Sequence, residues 1–206
     1  MSAVLCHAHN LFDGDDAADL TKPMTKPNRF EPRYELADVA DAAGLDLLTL
    51  RNWLNPQRGI IVPRCDDLRG SGRGVRRLFS LVRVYQIAIT AELVRQGIPV
   101  SKAALAALQF SDFGNNEAVW AGEEPGPFRE PGELFAEGNT FLCVRDQGEV
   151  AHLVEMKGSL NLWEVEPGGE DMTWTVVPVN AVVDRVRRKL RDRVWEKARA
   201  AARGSA

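Results

Sequence analysis

Residues Leu36 to Asn55 read LADVADAAGLDLLTLRNWLN, and this stretch decides the fold. Leu36, Val39, Ala40 and Ala43 recur at spacings of three and four, which gathers them on one face of a helix. Gly44 supplies the positive-φ residue that a tight inter-helix turn requires. Asp46 suits the N-cap of a second helix, whose Leu47, Leu50, Trp53 and Leu54 form another apolar stripe. Small Ala40 precedes Gly44 by four residues and Leu50 follows it by six. Two helices crossing closely at the small residue, with the later leucine plugging the angle, make a helix-turn-helix. The polar face of the second helix carries Thr49, Arg51 and Asn52, the residues expected to face bases in a major groove. Two amphipathic helices around a glycine also occur in all-α domains that bind no DNA, so the flanking sequence weighs between the readings.

The 206-residue chain has a formal net charge of −3, but that average hides blocks. Arg58 to Lys102 holds nine Lys and Arg against three Asp and Glu; Ser111 to Asp171 holds three against fourteen; Asp184 to Arg203 returns to nine against three. Contact with a polyanion depends on the field within a Debye length, so the basic block beside the helix-turn-helix is the informative one. Three scattered cysteines, at 6, 65 and 143, suggest no disulfide framework. No apolar run approaches the roughly 20 residues of a membrane span. Asp13, Asp15 and Asp16 interrupt the place where an export signal would continue, so a cytoplasmic location is expected.

After the second helix the pattern changes to RGIIVPRCDDLRGSGRGVRRLFS, from Arg58 to Ser80. Ile60, Ile61 and Val62 are strand formers, residues 70–74 are a glycine-rich turn, and Val75 to Phe79 can return as a second strand. A hairpin placed there is a wing, and Arg58, Arg64, Arg69, Arg73, Arg76 and Arg77 are expected to meet phosphates. A nucleotide-binding loop at Gly70-Ser71-Gly72-Arg73-Gly74 would need a P-loop lysine or a dinucleotide spacing, and neither is present. A solvated arginine turn is the plainer alternative.

Ser80 is placed to cap a third helix, LVRVYQIAITAELVRQ, which Gly97 ends; Ser101 is placed to cap a fourth, KAALAALQF. Leu105 and Leu108 are expected to close the core over the first two helices. Residues 1–32 are polar and proline-punctuated and read as a disordered lead-in. Cys6, His7 and His9 lack the fourth donor of a structural zinc site, so no metal is expected.

From about Tyr34 to Leu108 the chain resembles the DNA-binding domain of MerR-type transcription regulators. Tyr34-Glu35-Leu36-Ala37-Asp38-Val39-Ala40, Gly44, Thr49-Leu50-Arg51, Gly74 with Arg76-Arg77-Leu78-Phe79-Ser80, and Leu93-Val94-Arg95-Gln96-Gly97-Ile98-Pro99-Val100 carry the resemblance. Asn52-Trp53-Leu54-Asn55 stands where that family has an aromatic pair and an acidic residue, and its long dimerising helix is not visible after Leu108. The resemblance implies a winged helix-turn-helix that binds duplex DNA sequence-specifically.

Residues 111–138 turn acidic and rich in Gly and Pro, and read as a linker whose Trp120, Phe128 and Phe135 can dock on the neighbouring domain. Beyond it, Thr140–Val144, Val150–Val154, Leu160–Val165 and Thr173–Val179 are candidate strands of a small antiparallel sheet. His152 stands alone in a strand, more a structural position than a ligand. Asn180 is placed to cap a last helix with an apolar stripe of Val183, Val186, Leu190 and Val194 among crowded arginines. That helix can pack on its own sheet, pair with a second subunit or touch DNA. A module of about 60 residues is marginal alone, so packing with homodimerisation is favoured.

The expectation is therefore an α+β protein in four parts. Residues 1–32 are a disordered segment, 33–110 a MerR-like winged helix-turn-helix, 111–138 a linker, and 139–206 a small sheet with a long terminal helix. The expected role is a transcriptional regulator binding double-stranded DNA as a homodimer, without a cofactor. No base, nucleophile and orienting partner are grouped as catalysis requires, so no enzyme is expected. An excisionase-like accessory factor, an antitoxin component and a protein-interaction adaptor are the rivals.

Overall fold

A computed structural model describes residues 28–62, 77–114, 129–158 and 173–204. In chain order these form β1 (Tyr34–Glu35), α1 (Leu36–Ala43), α2 (Leu47–Trp53), β2 (Leu78–Phe79), α3 (Leu81–Arg95), α4 (Val100–Ser111), β3 (Asn139–Arg145), β4 (Val150–Met156), β5 (Thr175–Pro178) and α5 (Val179–Gly204). No helix among the described residues is long and apolar enough to cross a membrane.

The middle of the fold is α3. Every residue from Val82 to Ala91 is buried, and so is Leu93, because α1, α4, α5 and β5 all pack against this helix. Ser80 caps it as expected, accepting from the Arg83 N–H at 3.3 Å. Its polar side chains are consumed internally. Thr90 donates to the Gln86 carbonyl at 2.8 Å, and Gln86 accepts from Arg83. Helix α4 meets α3 through Ala103, Ala104, Ala106 and Ala107, with Phe110 set edge-on to Tyr85 at 6.0 Å. Small side chains let two backbones approach closely, and leucine would hold them apart. Leu105 consequently faces outward, 59% exposed, and Leu108 is only half-buried, so neither closes the core as expected. Ser101 is not a cap either, since the helix begins one residue earlier behind Pro99.

The expected hairpin is corrected at both described ends. Ile60–Val62 is not a strand: Ile61 is buried and its N–H returns to the Trp53 carbonyl at 3.1 Å, closing the turn after α2. Leu78–Phe79 instead pairs antiparallel with β1, Tyr34 opposite Phe79 and Glu35 opposite Leu78. Residues 63–76, with Arg64, Arg69, Arg73 and Arg76, lie outside the described residues.

The second sheet is antiparallel with order β4-β3-β5, Leu142 lying opposite both Leu153 and Val177. The strands at 140–144 and 150–154 are observed with slightly longer bounds; residues 160–165 are outside the described set. Central β3 buries Thr140, Leu142, Cys143 and Val144. Burial pushes the Cys143 thiol up to about 11. Strand β5 runs directly into α5, so Asn180 lies inside the first turn; its Oδ1 accepts from the Thr140 N–H at 2.6 Å rather than capping the helix.

The expected boundary at 111–138 does not separate two cores. Leu142, Val144 and Val177 of the sheet, and Val179, Val182, Val183, Val186 and Leu190 of α5, belong to the same buried cluster as Val39, Leu50 and Ile89. A small sheet with one helix cannot bury enough apolar surface alone, and here it uses the first half of the chain as its missing layer. Of the apolar stripe on α5, only Val194 is left exposed for another partner. The segment around Arg129 is equally integrated. This residue is 1% exposed and donates to the carbonyls of Gln109 (2.9 Å), Phe110 (3.0 Å), Phe113, Glu130 (3.1 Å) and Glu133 (3.2 Å). It thereby satisfies the orphan carbonyls at the end of α4, where a cation also meets the negative end of the helix dipole. Burial lowers its pKa to about 10, and the nearby Glu133 carboxylate opposes that shift.

Candidate nucleic-acid interface

The turn between α1 and α2 is built by local hydrogen bonds. Gly44 has φ 66° and ψ 41°, its N–H reaches the Asp41 carbonyl at 3.1 Å, and the Leu45 N–H reaches Ala40 at 2.9 Å. This is a Schellman closure, and Leu45 packs on the core as the motif's apolar contact. Asp46 then starts α2, accepting from the Thr49 N–H at 2.8 Å and the Thr49 hydroxyl at 2.5 Å. Those two bonds hold the Asp46 carboxyl below its ordinary value.

Helix α2 is anchored on one side by Leu50, Trp53 and Leu54, all buried. Its other side presents Leu48, Arg51, Asn52 and Asn55, spaced at three, four and seven as one helical face requires. Leu48 is 67% exposed, Arg51 is exposed, and Asn52 and Asn55 are half-buried. Arg58 follows on an exposed turn, its N–H bonded to the Asn55 carbonyl at 3.0 Å while Asn55 Oδ1 takes the Gln57 N–H. Neither Arg51 nor Arg58 enters an ion pair among the described residues.

Sequence reasoning put Arg51 and Asn52 on the polar face of α2 and Arg58 in the basic stretch that follows; Arg51 and Arg58 are exposed and Asn52 is half-buried. Thr49 is different: its hydroxyl proton is committed to Asp46, so it can offer only an acceptor and its methyl group. Arg77 is also different. Its guanidinium carbon lies 5.0 Å from the centre of the Phe79 ring, and its Nε and Nη2 are out of reach of solvent. The aromatic face attracts the cation, so part of the guanidinium is buried against Phe79. Leu48 was missed because leucine beside an apolar stripe reads as core; the signal was its position three residues before Arg51, on the polar side.

The electrostatics of this half depend on α5. Glu35, Asp38 and Asp41 would give the entry to α1 and its outer face a negative field. Lys189 and Arg193 reach Asp41 at 3.6 and 3.2 Å, and Lys197 reaches Asp38 at 2.7 Å and Glu35 at 3.5 Å. The three cations recur every four residues, so one stripe of α5 neutralises α1 along its length.

Elsewhere, a cleft of about 610 Å³ lined by Arg29, Phe30, Tyr85 and Arg187 lies against the N-terminal half of α3. Its charged groups are largely engaged: Arg29 pairs with Glu130 and Glu133, and Arg187 donates to the Tyr85 hydroxyl at 2.8 Å. His152 is exposed, its ring 6.1 Å from that of Trp174. No group of three or more metal-ligating side chains occurs among the described residues. Cys6, His7 and His9 are outside them. Compared with protein-family models and with curated proteins, the chain matches none.

Proposed function

We propose that this protein is a sequence-specific, duplex-DNA-binding transcriptional regulator of MerR-like type, acting in the cytoplasm. Helix α2 enters the major groove, Leu48, Arg51 and Asn52 meet base edges, and Arg58 meets the backbone. The observation that carries the reading is the two-sidedness of α2. Leu50, Trp53 and Leu54 lock it to the core, while Arg51 and Asn52 stand together on the outer side with no ion pair among the described residues. A helix held rigidly by one face and offering a guanidinium and an amide on the other matches what bidentate base recognition requires.

The proposal includes contact of Arg64, Arg69, Arg73 and Arg76 with the phosphate backbone and a homodimer on DNA. The exposed Leu48 also suits the rival reading, in which α2 docks on a protein. Selection of duplexes from a random library by the full-length protein separates the two. The expected result is an enriched motif, with two-fold symmetry if two copies bind, and loss of the enrichment on Arg51→Ala with Asn52→Ala. A library that emerges unenriched, or enrichment indifferent to both substitutions, overturns the groove assignment.

A further inference from the structure

Helix α5 spends cations on several sides within the molecule: Arg185 pairs with Glu92 and Arg187 donates to the Tyr85 hydroxyl. Lys189, Arg193 and Lys197 are occupied by the carboxylates of Glu35, Asp38 and Asp41. At 100° per residue, Arg188, Arg191, Trp195, Arg199 and Arg203 fall within an arc of about 120° on another side. All five are exposed, Trp195 by 63%, and none of the four arginines enters an ion pair among the described residues. We propose that this arginine–tryptophan face is a second, sequence-independent binding surface that takes the phosphate backbone of duplex DNA.

Charge complementarity selects the occupant. Arg188, Arg191, Arg199 and Arg203 outnumber Asp184 and Asp192, the carboxylates that share their arc, and none of these arginines enters an ion pair among the described residues, so the face keeps a net positive charge that an external polyanion complements. The cations here are all arginine, whose planar fork matches phosphate oxygens two at a time, whereas two of the three cations facing α1 are lysines. A lipid surface is disfavoured by the apolar content. Beside Val194 and Trp195 the exposed end offers only alanines, too little apolar area to enter a bilayer interface. Pairing with the same face of a second copy is disfavoured because it sets arginine against arginine. The helix end is also accessible: Lys197 already touches Glu35, next to the start of α1, so residues 198–204 project about 10 Å beyond that contact.

This face shares its polyanion with the function proposed above but none of its residues, so the two proposals can fail separately. The test measures binding of a labelled mixed-sequence duplex to the full-length protein over a range of salt. It compares wild type with the quadruple variant Arg188→Gln, Arg191→Gln, Arg199→Gln and Arg203→Gln, and with Arg51→Ala/Asn52→Ala. The expected result is a salt slope shallower by about 2–4 in the quadruple variant, because each phosphate no longer neutralised removes about 0.9 from the slope. Its affinity for mixed-sequence duplex should fall about tenfold or more, with an unchanged melting temperature. The α2 variant should keep most of the mixed-sequence slope and lose only sequence preference. An unchanged slope in the quadruple variant overturns the inference. So does tighter binding of the same face to phosphatidylserine vesicles than to duplex, reported by a blue shift that Trp195→Phe abolishes. A change in oligomeric state without a change in DNA affinity also overturns it.

Discussion

Lys197 Nζ lies 2.7 Å from Asp38 Oδ2, joining the last helix to the first across 159 residues of sequence. The Asp38 side chain is only 11% exposed, so the ammonium offsets a carboxylate that water can barely reach. The hydrogen bond from Lys197 to Asp38 raises the lysine pKa, which burial alone would lower, and Glu35 adds to the rise. Lys197→Met should cost about 1 kcal/mol of stability, since the lysine end of the pair is half in solvent. Arg199→Gln, on the unpaired face of the same helix, should cost almost nothing. Urea denaturation of both variants checks the asymmetry, and equal losses would mean that the contact does not clamp α5 to α1.

Arg129 makes a second clamp, between the end of α4 and the chain leading to β3. Arg129→Met leaves the carbonyls of Gln109 and Phe113 without the guanidinium donor, while Phe110 keeps the Gly132 N–H, and should destabilise by about 3 kcal/mol. Arg129→Lys, with three donors in place of five, should recover part of that. Were residues 129–138 an independent linker, both changes would stay within about 0.5 kcal/mol. Thermal unfolding followed by circular dichroism decides between these outcomes.

Glu92 predicts a pH dependence. Burial pushes its carboxyl up, but hydrogen bonds from Arg95 at 2.6 Å and Arg185 at 3.0 Å outweigh burial and leave it below the ordinary 4.5. A carboxyl depressed in the folded state contributes stability above its unfolded value and loses it as pH falls through the folded one. Wild type should therefore weaken below pH 4.5. Glu92→Gln should show a smaller difference between about pH 6 and about pH 3.5 in urea midpoints. Identical pH profiles would mean that the pair with Arg185 contributes nothing to holding α5 on α3.

If α2 occupies the major groove as proposed, the exposed Leu48 would touch a thymine methyl group, the one apolar feature of that groove. Replacing the thymines of a selected duplex with deoxyuridine should weaken wild-type binding about fourfold for one contacted methyl. Leu48→Ala should bind both duplexes alike. Asn52→Ala should instead lose about 1–3 kcal/mol of discrimination at a single base pair. Anisotropy titrations with the paired duplexes read both effects, and methyl sensitivity that survives Leu48→Ala would remove the leucine from the groove.

What the chain alone determined is what short-range bonding governs. The Gly44 turn, the Asp46 and Ser80 caps, the helix ending at Gly97 and the hairpin from Thr140 to Val154 each close within a few residues, so spacing and residue type suffice to read them. Tertiary structure decided everything that depends on which surface covers which. A helical stripe announces that it will be buried, but not by what: α5 was readable as basic and amphipathic, while the acidic side of α1 that receives it lies at the other end of the chain. In α4 the leucines looked like core and the alanines did the packing, because closeness of approach to α3 mattered more than hydrophobicity. Leu78–Phe79 chose Tyr34–Glu35 over Ile60–Val62 once Ile61 was committed to closing the turn after α2. The face of α2 that carries Arg51 and Asn52 was legible for the opposite reason: its outer side is set by one anchored turn of helix, with no distant partner to choose.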